Sequence, residues 1–192
     1  MMVTMTRDEA DELMQEYTAS DALRKHMYAV EIAMRAMAER AGENPDDWGL
    51  VGLLHDFDYE RHPNQEHSPT EGHPAEGVRL LAARGLPEPM QRAILGHATY
   101  SGVPRDTAMA RALFAVDELA GFLVACALIT PGKSLTEVEV ASVKKKMKRA
   151  DFARNVNRED IVNGTAELGV ELDAHIAFVL EAMRGIKSEL GL

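Results

Sequence analysis

Apolar residues recur along this chain at intervals of three and four, the spacing that gathers side chains on one face of a helix. Leu23, Val30, Ala33 and Met37 form one such stripe. With Ser20 as N-cap before it and Gly42 as a stop after it, the pattern predicts a helix over Asp21 to Arg40. The same reasoning predicts a short helix from Asp46 to Asp56, another from Glu71 to Arg84 stopped by Gly85, and a fourth from Glu88 to Ala98 after Pro87. The long apolar segment Asp106 to Ile129 is closed by Pro131-Gly132. Ser134 then reads as the cap of a basic helix running through Arg149, with Glu137 three residues on as its capping-box partner. Two further helices are expected near Arg158 to Leu168 and Val170 to Leu190. Strand signals are nearly absent, since 5% of the residues are aromatic and no apolar/polar alternation persists. The expected fold is an all-α helical bundle. Its one long irregular stretch, Phe57 to Thr70, is a candidate lid or substrate-access segment.

Bulk composition narrows the class of object. At 192 residues, 46% hydrophobic and 27% charged, residues 1–192 read as a single domain able to bury most of its apolar side chains. A net charge of -10 argues against a nucleic-acid polymer or an anionic membrane as partner, because binders of either normally carry the opposite field. A small anionic ligand would need local cations or a metal. The single cysteine, Cys126, lies in the apolar run Phe122 to Ile129; it reads as a core residue, makes no intrachain disulfide and suits a reducing compartment. The start, Met1 to Glu9, lacks the apolar core of a signal peptide, and no apolar run approaches the roughly 20 residues of a membrane span. A cytoplasmic location is therefore expected.

Chemistry enters with the doublet His55-Asp56, at the end of the apolar run Leu50 to Leu54. Isolated polar residues fall on the apolar stripes of other helices. His26 stands three after Leu23 and four before Val30, and Asp117 stands four after Leu113 and three after Phe114. His97 follows Ala93 and Ile94 at four and three, and His73 precedes Gly77 and Leu80 at four and seven. An unpaired carboxylate in such surroundings costs several kcal/mol. The cost is relieved most simply if these imidazoles and carboxylates share a cation, so the set reads as a metal site.

In order along a helical chain, His26, His55-Asp56 and Asp117 resemble the H…HD…D signature of the HD-domain superfamily of metal-dependent phosphohydrolases, over about Asp21 to Leu128. His73 and His97 resemble the additional ligands of the two-metal branch, which includes cyclic-dinucleotide phosphodiesterases and di-iron oxygenases similar to myo-inositol oxygenase. The Gly-Tyr-Pro element of the cyclic-dinucleotide enzymes is absent; Gly72-His73-Pro74 is the nearest string. The signature does not cover the C-terminal third, whose helices 134–192 are expected to pack on the signature core. The resemblance implies an HD-type bundle. It implies a first ion held by His26, His55, Asp56 and Asp117, and a second by His73, His97 and Asp56, with Asp56 as bridge and Asp56 and His55 as catalytic residues. The ligand set suits one or two divalent ions among Fe, Mn, Co, Ni and Zn. The implied activity is hydrolysis of a phosphate mono- or diester of a small metabolite or nucleotide by a metal-bound hydroxide. Two alternatives share these residues: a di-iron oxygenase, and a metal-stabilised binding module without turnover.

Further residues bear on substrate. His62 and His67 lie in the irregular stretch, where either could protonate a leaving group if the loop closes. Asp58 and Glu60 read as solvated loop residues and His175 as structural. The run Lys144 to Arg149 is the basic concentration of an acidic chain; Lys144 and Lys148, four apart on one face, are the candidate phosphate binders, with Arg105 and Arg111 as rivals. The expected partner is a small phosphorylated substrate, and oligomeric state is left open.

Overall fold

Thr6 opens the first helix, α1 (Arg7–Tyr17), with a reciprocal cap: its hydroxyl accepts the Glu9 N–H at 3.2 Å while the Glu9 carboxylate accepts the Thr6 N–H at 2.7 Å. The periodicity reading placed no helix here, although Thr6 with Glu9 three residues on is itself a capping-box signature. The computed structural model describes residues 5–192, so the first four residues of the stretch Met1 to Glu9 lie outside the described residues. Helix α2 (Asp21–Ala41) follows between the Ser20 cap and the left-handed Gly42, as expected.

Helix α3 (Pro45–Leu54) starts on the Asn44 cap with proline at its first position, and stops two residues short of the expected Asp56, leaving His55 as its C-cap. Helix α4 (Ala75–Ala83) begins at Ala75 and not at Glu71. Pro74 is the physical reason: a proline disfavours helical backbone in the residue before it, so the helix can form only after it. Helices α5 (Glu88–His97) and α6 (Ala108–Leu128) lie within the expected spans, the latter capped by Thr107.

The basic helix expected from Ser134 to Arg149 is the largest correction. Ser134 caps only a 3₁₀ turn, Leu135–Glu137, accepting the Thr136 N–H at 3.2 Å, and the Glu137 carboxylate turns back to accept the Gly132 N–H at 3.0 Å. With Glu137 engaged there, the α-helix proper, α7 (Val140–Met147), starts later and ends sooner. Helix α8 (Arg158–Leu168) is as expected, ending on left-handed Gly169. The single helix expected over Val170 to Leu190 is two, α9 (Leu172–Arg184) and α10 (Lys187–Leu190), interrupted after Arg184 at Gly185 and Ile186.

The two 21-residue helices organise the packing. Helix α2 lies against α3, α6 and α9, and α6 lies against α5, α8 and α9, so the apolar stripes of helices distant in sequence meet in one core running from Leu13 and Met14 to Met183 and Leu190. Where α8 crosses α6, a Cβ on Gly164 would fall 2.6 Å from Ala115 Cα, so the missing side chain sets the approach of the two backbones. The C-terminal helices thus pack on the segment that carries the candidate ligands. No strand occurs among the described residues, and no helix among them is long and apolar enough to cross a membrane.

Candidate metal centre

Five separate places on the chain converge at the open end of this packing: α2, the end of α3, the residue before Pro74, α5 and α6. His26 projects from α2 and Asp117 from the middle of α6, with His26 Nε2 3.0 Å from Asp117 Oδ1. His55, wholly buried as the C-cap of α3, brings its Nε2 to 3.3 Å from His26 Nε2 and 3.3 Å from Asp117 Oδ1. Because α3 stops at Leu54, Asp56 lies in the turn beyond it, and its two carboxylate oxygens face different ways. Oδ2 lies 3.5 Å from His55 Nε2 and 3.8 Å from His26 Nε2. Oδ1 lies 3.3 Å from His73 Nε2 and 3.4 Å from His97 Nε2, and those two nitrogens are 3.3 Å apart. The six residues form two groups that meet at Asp56.

Ligand atoms about 2.1 Å from a common ion stand about 3.0–3.4 Å from one another at right or tetrahedral angles. The spacings above fall mostly in that range, and within each group the donor atoms lie within 4.8 Å of one another. The far nitrogens are committed as ligation requires. His55 Nδ1 donates to Gly52 O at 2.8 Å, His97 Nδ1 donates to Ile94 O at 2.5 Å, and His73 Nδ1 lies 2.7 Å from Asp58 Oδ1. Each bond fixes a tautomer and a ring orientation that aims Nε2 inward. The side chains present therefore form two groups that share Asp56, each of which could hold a metal ion.

Electrostatics describe the same crowding. Burial pushes Asp117 and Asp56 towards the neutral acid, yet the facing imidazoles, His55 foremost, outweigh it and hold both well below the usual carboxylate range. Burial likewise pushes His97 down, but the bond to Asp56 and the charge of Asp117 carry it up to about 9. Glu118, beside Asp117, is pushed up to about 7 by burial and then by that neighbouring charge. Tyr100, whose hydroxyl donates to His73 O at 3.0 Å, is pushed up to about 12 by burial and by Asp56.

The cluster floors a cavity of about 1230 Å³. The segment Phe57 to Thr70 forms one wall of it, and it is pinned. Glu60 accepts the N–H groups of Ala19 and Ser20, Thr18 Oγ1 donates to Phe57 O, and the Asn64 amide donates to Ser68 O and His73 O. His67 lines the cavity, its ring stacked on Tyr100 at 4.7 Å, whereas His62 does not line it.

Two expectations about charge are corrected. Asp58 is not a solvated loop residue: it is 1% exposed, bonds His73 and accepts the Gly77 N–H at 2.7 Å. No periodicity links it to His73, fifteen residues on. The available cue is Gly77, where a Cβ would fall 2.5 Å from the Asp58 carboxylate carbon. The lysines chosen for phosphate are not brought to the cavity. Lys144 pairs with Asp173 at 2.7 Å, and neither it nor Lys148 lines the walls. Arg105 holds Glu167 through two bonds of 2.7 and 2.6 Å over the ring of Phe114, and Arg111 donates to Arg105 O. His175 is structural, with Nε2 donating to Ala115 O at 2.9 Å; Cys126 is a buried thiol that burial pushes up to about 11.

Compared with known proteins, the chain matches one family model, described as HD domain, over residues 23–121. All six residues of the cluster fall inside that match. No curated protein and no solved structure matches the chain.

Proposed function

The chain belongs to the HD-domain family of metal-dependent phosphohydrolases, and from that premise we propose that it hydrolyses a phosphate mono- or diester of a small metabolite or nucleotide at a two-ion centre. The observation that carries this reading is the divided carboxylate of Asp56, one oxygen toward His26 and His55 and the other toward His73 and His97. In the proposal His26, His55, Asp56 and Asp117 hold one ion, and His73, His97 and Asp56 hold the other. Such ions, when bound, neutralise charge on phosphoryl oxygens and make water a better nucleophile at neutral pH.

The remaining work belongs to the chain's own groups. Asp58, Gly52 O and Ile94 O keep three imidazoles aimed while substrate enters. The neutral amides of Gln65 and Asn155 on the cavity wall are placed to hydrogen-bond polar groups of the substrate. His67, held against Tyr100, is the wall residue suited to protonate the departing oxygen.

The test is elemental analysis of protein purified without added metal, then a phosphoester panel run under air and under nitrogen. Release of phosphate at equal rates with and without oxygen, supported by Mn, Co or Ni, is expected. Turnover that requires iron and consumes oxygen would assign the centre to an oxygenase, and stable metal without turnover of any ester would leave a binding module.

A further inference from the structure

Gly121 stands four residues after Asp117 in the middle of α6. A glycine inside a helix destabilises it relative to alanine, so a glycine at this position has a physical reason or is a net loss. Packing does not supply the reason. A Cβ built on Gly121 meets only the edge of the His26 ring, 3.7 Å from Nδ1 and 3.9 Å from Cε1, which is ordinary van der Waals contact. At Gly164 and Gly77, by contrast, a Cβ would collide with backbone or with a buried carboxylate.

The missing side chain at 121 leaves a low point in α6 beside the His26 ring, and two cavities share it. The cavity over the metal cluster and a second one of about 490 Å³ share Leu23, His26, Tyr59 and Gly121. Beyond the shared residues the second is lined by Ala22 and Val124 together with Ser20 and Glu60, whose carboxylate oxygens are taken up by the Ala19 and Ser20 N–H groups, so the face formed by Ala22, Leu23, Gly121 and Val124 is an aliphatic shelf. Among the residues lining either cavity there is no lysine or arginine. A second phosphate or another anionic group would find no protein counter-charge there, whereas an apolar group gains by leaving water. A phosphoester with its phosphoryl group at the cluster has, across Gly121, a direction in which an uncharged substituent is well received.

Resting on the phosphoester reading above, we infer that the shelf of Ala22, Leu23, Gly121 and Val124 binds the apolar body of a singly phosphorylated substrate, with Gly121 as the specificity-determining residue. The metal-loaded full chain is titrated calorimetrically with two series of equal tails and different heads, methyl- to hexylphosphonate and acetate to heptanoate. Each methylene reaching the shelf should tighten binding about two- to fourfold. Gly121→Leu should abolish that dependence on length. Ala22→Phe, at an exposed position that fills the shelf from its other side, should do the same and keeps the test open if Leu at 121 disturbs His26. Length dependence in the phosphonates, erased by either variant, supports the inference. Length dependence in the carboxylates alone keeps the shelf and removes the phosphoester reading. Affinity independent of length in both series, absence of binding in both, or a dependence that survives Ala22→Phe overturns the shelf.

Discussion

Each candidate ligand imidazole with a fixed far nitrogen depends on the group that fixes it, and Asp58 is the clearest instance, because its carboxylate is buried between His73 and the Gly77 N–H. Removing such an orienting partner typically weakens metal affinity about 10–100-fold. Asp58→Asn should therefore lose the proposed second ion on dialysis while the first stays, and elemental analysis should count one ion for the variant against two expected for wild type. Asp56→Ala should lose both. Retention of two ions in Asp58→Asn would make the His73 contact incidental. At His67 the expectation concerns protons: His67→Asn should lower kcat/KM for an alkyl phosphate by about 10²–10⁴-fold. A nitrophenyl ester, whose leaving group departs as an anion, should be hydrolysed nearly as fast as by wild type. Equal losses on both esters would remove His67 from proton transfer.

Elements meet through small residues and single polar bonds, and two glycines separate the cases. Gly164→Ala would force α8 off α6 at Ala115 and should cost about 1–3 kcal/mol in urea unfolding. Gly121→Ala meets no such contact and should stabilise by about 0.4–1 kcal/mol, since it restricts the unfolded chain at a position alanine tolerates. The docking of α9 on α6 runs through His175, which donates to Ala115 O. Burial holds this imidazole below its ordinary value of 6.5, so the unfolded chain takes up the proton first. Its contribution to stability is complete above pH 6.5 and is lost as pH falls through that value. Between pH 7.5 and 5 the wild type should lose more unfolding free energy than His175→Gln. Parallel curves for the two proteins would place the proton elsewhere.

Across the whole molecule, the ligand groups tie together α2, the end of α3, α5 and α6, with His26 and Asp117 ninety-one positions apart. An ion that binds only the folded chain adds about 2.7 kcal/mol at a free concentration one hundred times its Kd. For a chain of this size that corresponds to roughly 5–10 °C in Tm. Chelation should lower the melting temperature by about that amount, and added Mn or Co should restore it. A chelated protein that melts unchanged would mean that the cluster holds no ion in solution.

Much of this protein was legible before any packing was known. Helical periodicity, the Ser20 cap and the Gly42 stop depend on residues within a turn or two, and those interactions form wherever the chain goes. His26, His97 and Asp117 were legible for a related reason, since a carboxylate or imidazole on an apolar stripe must be turned inward with the stripe, whereas His73, before the start of α4, and Asp56, in the turn after α3, lie on no helical stripe. Where local rules competed, the reading slipped. Glu137 chose Gly132 over Ser134, and Pro74 overrode the periodicity that ran back to Glu71. Packing alone decided the rest. That Asp58 meets His73, that Lys144 is held by Asp173 away from the cavity, and that Gly121 is shared by two cavities follow from which helices cross and at what height. Those contacts join positions that no helical period relates, and they are settled only when the summed burial of the apolar stripes selects one arrangement of the bundle.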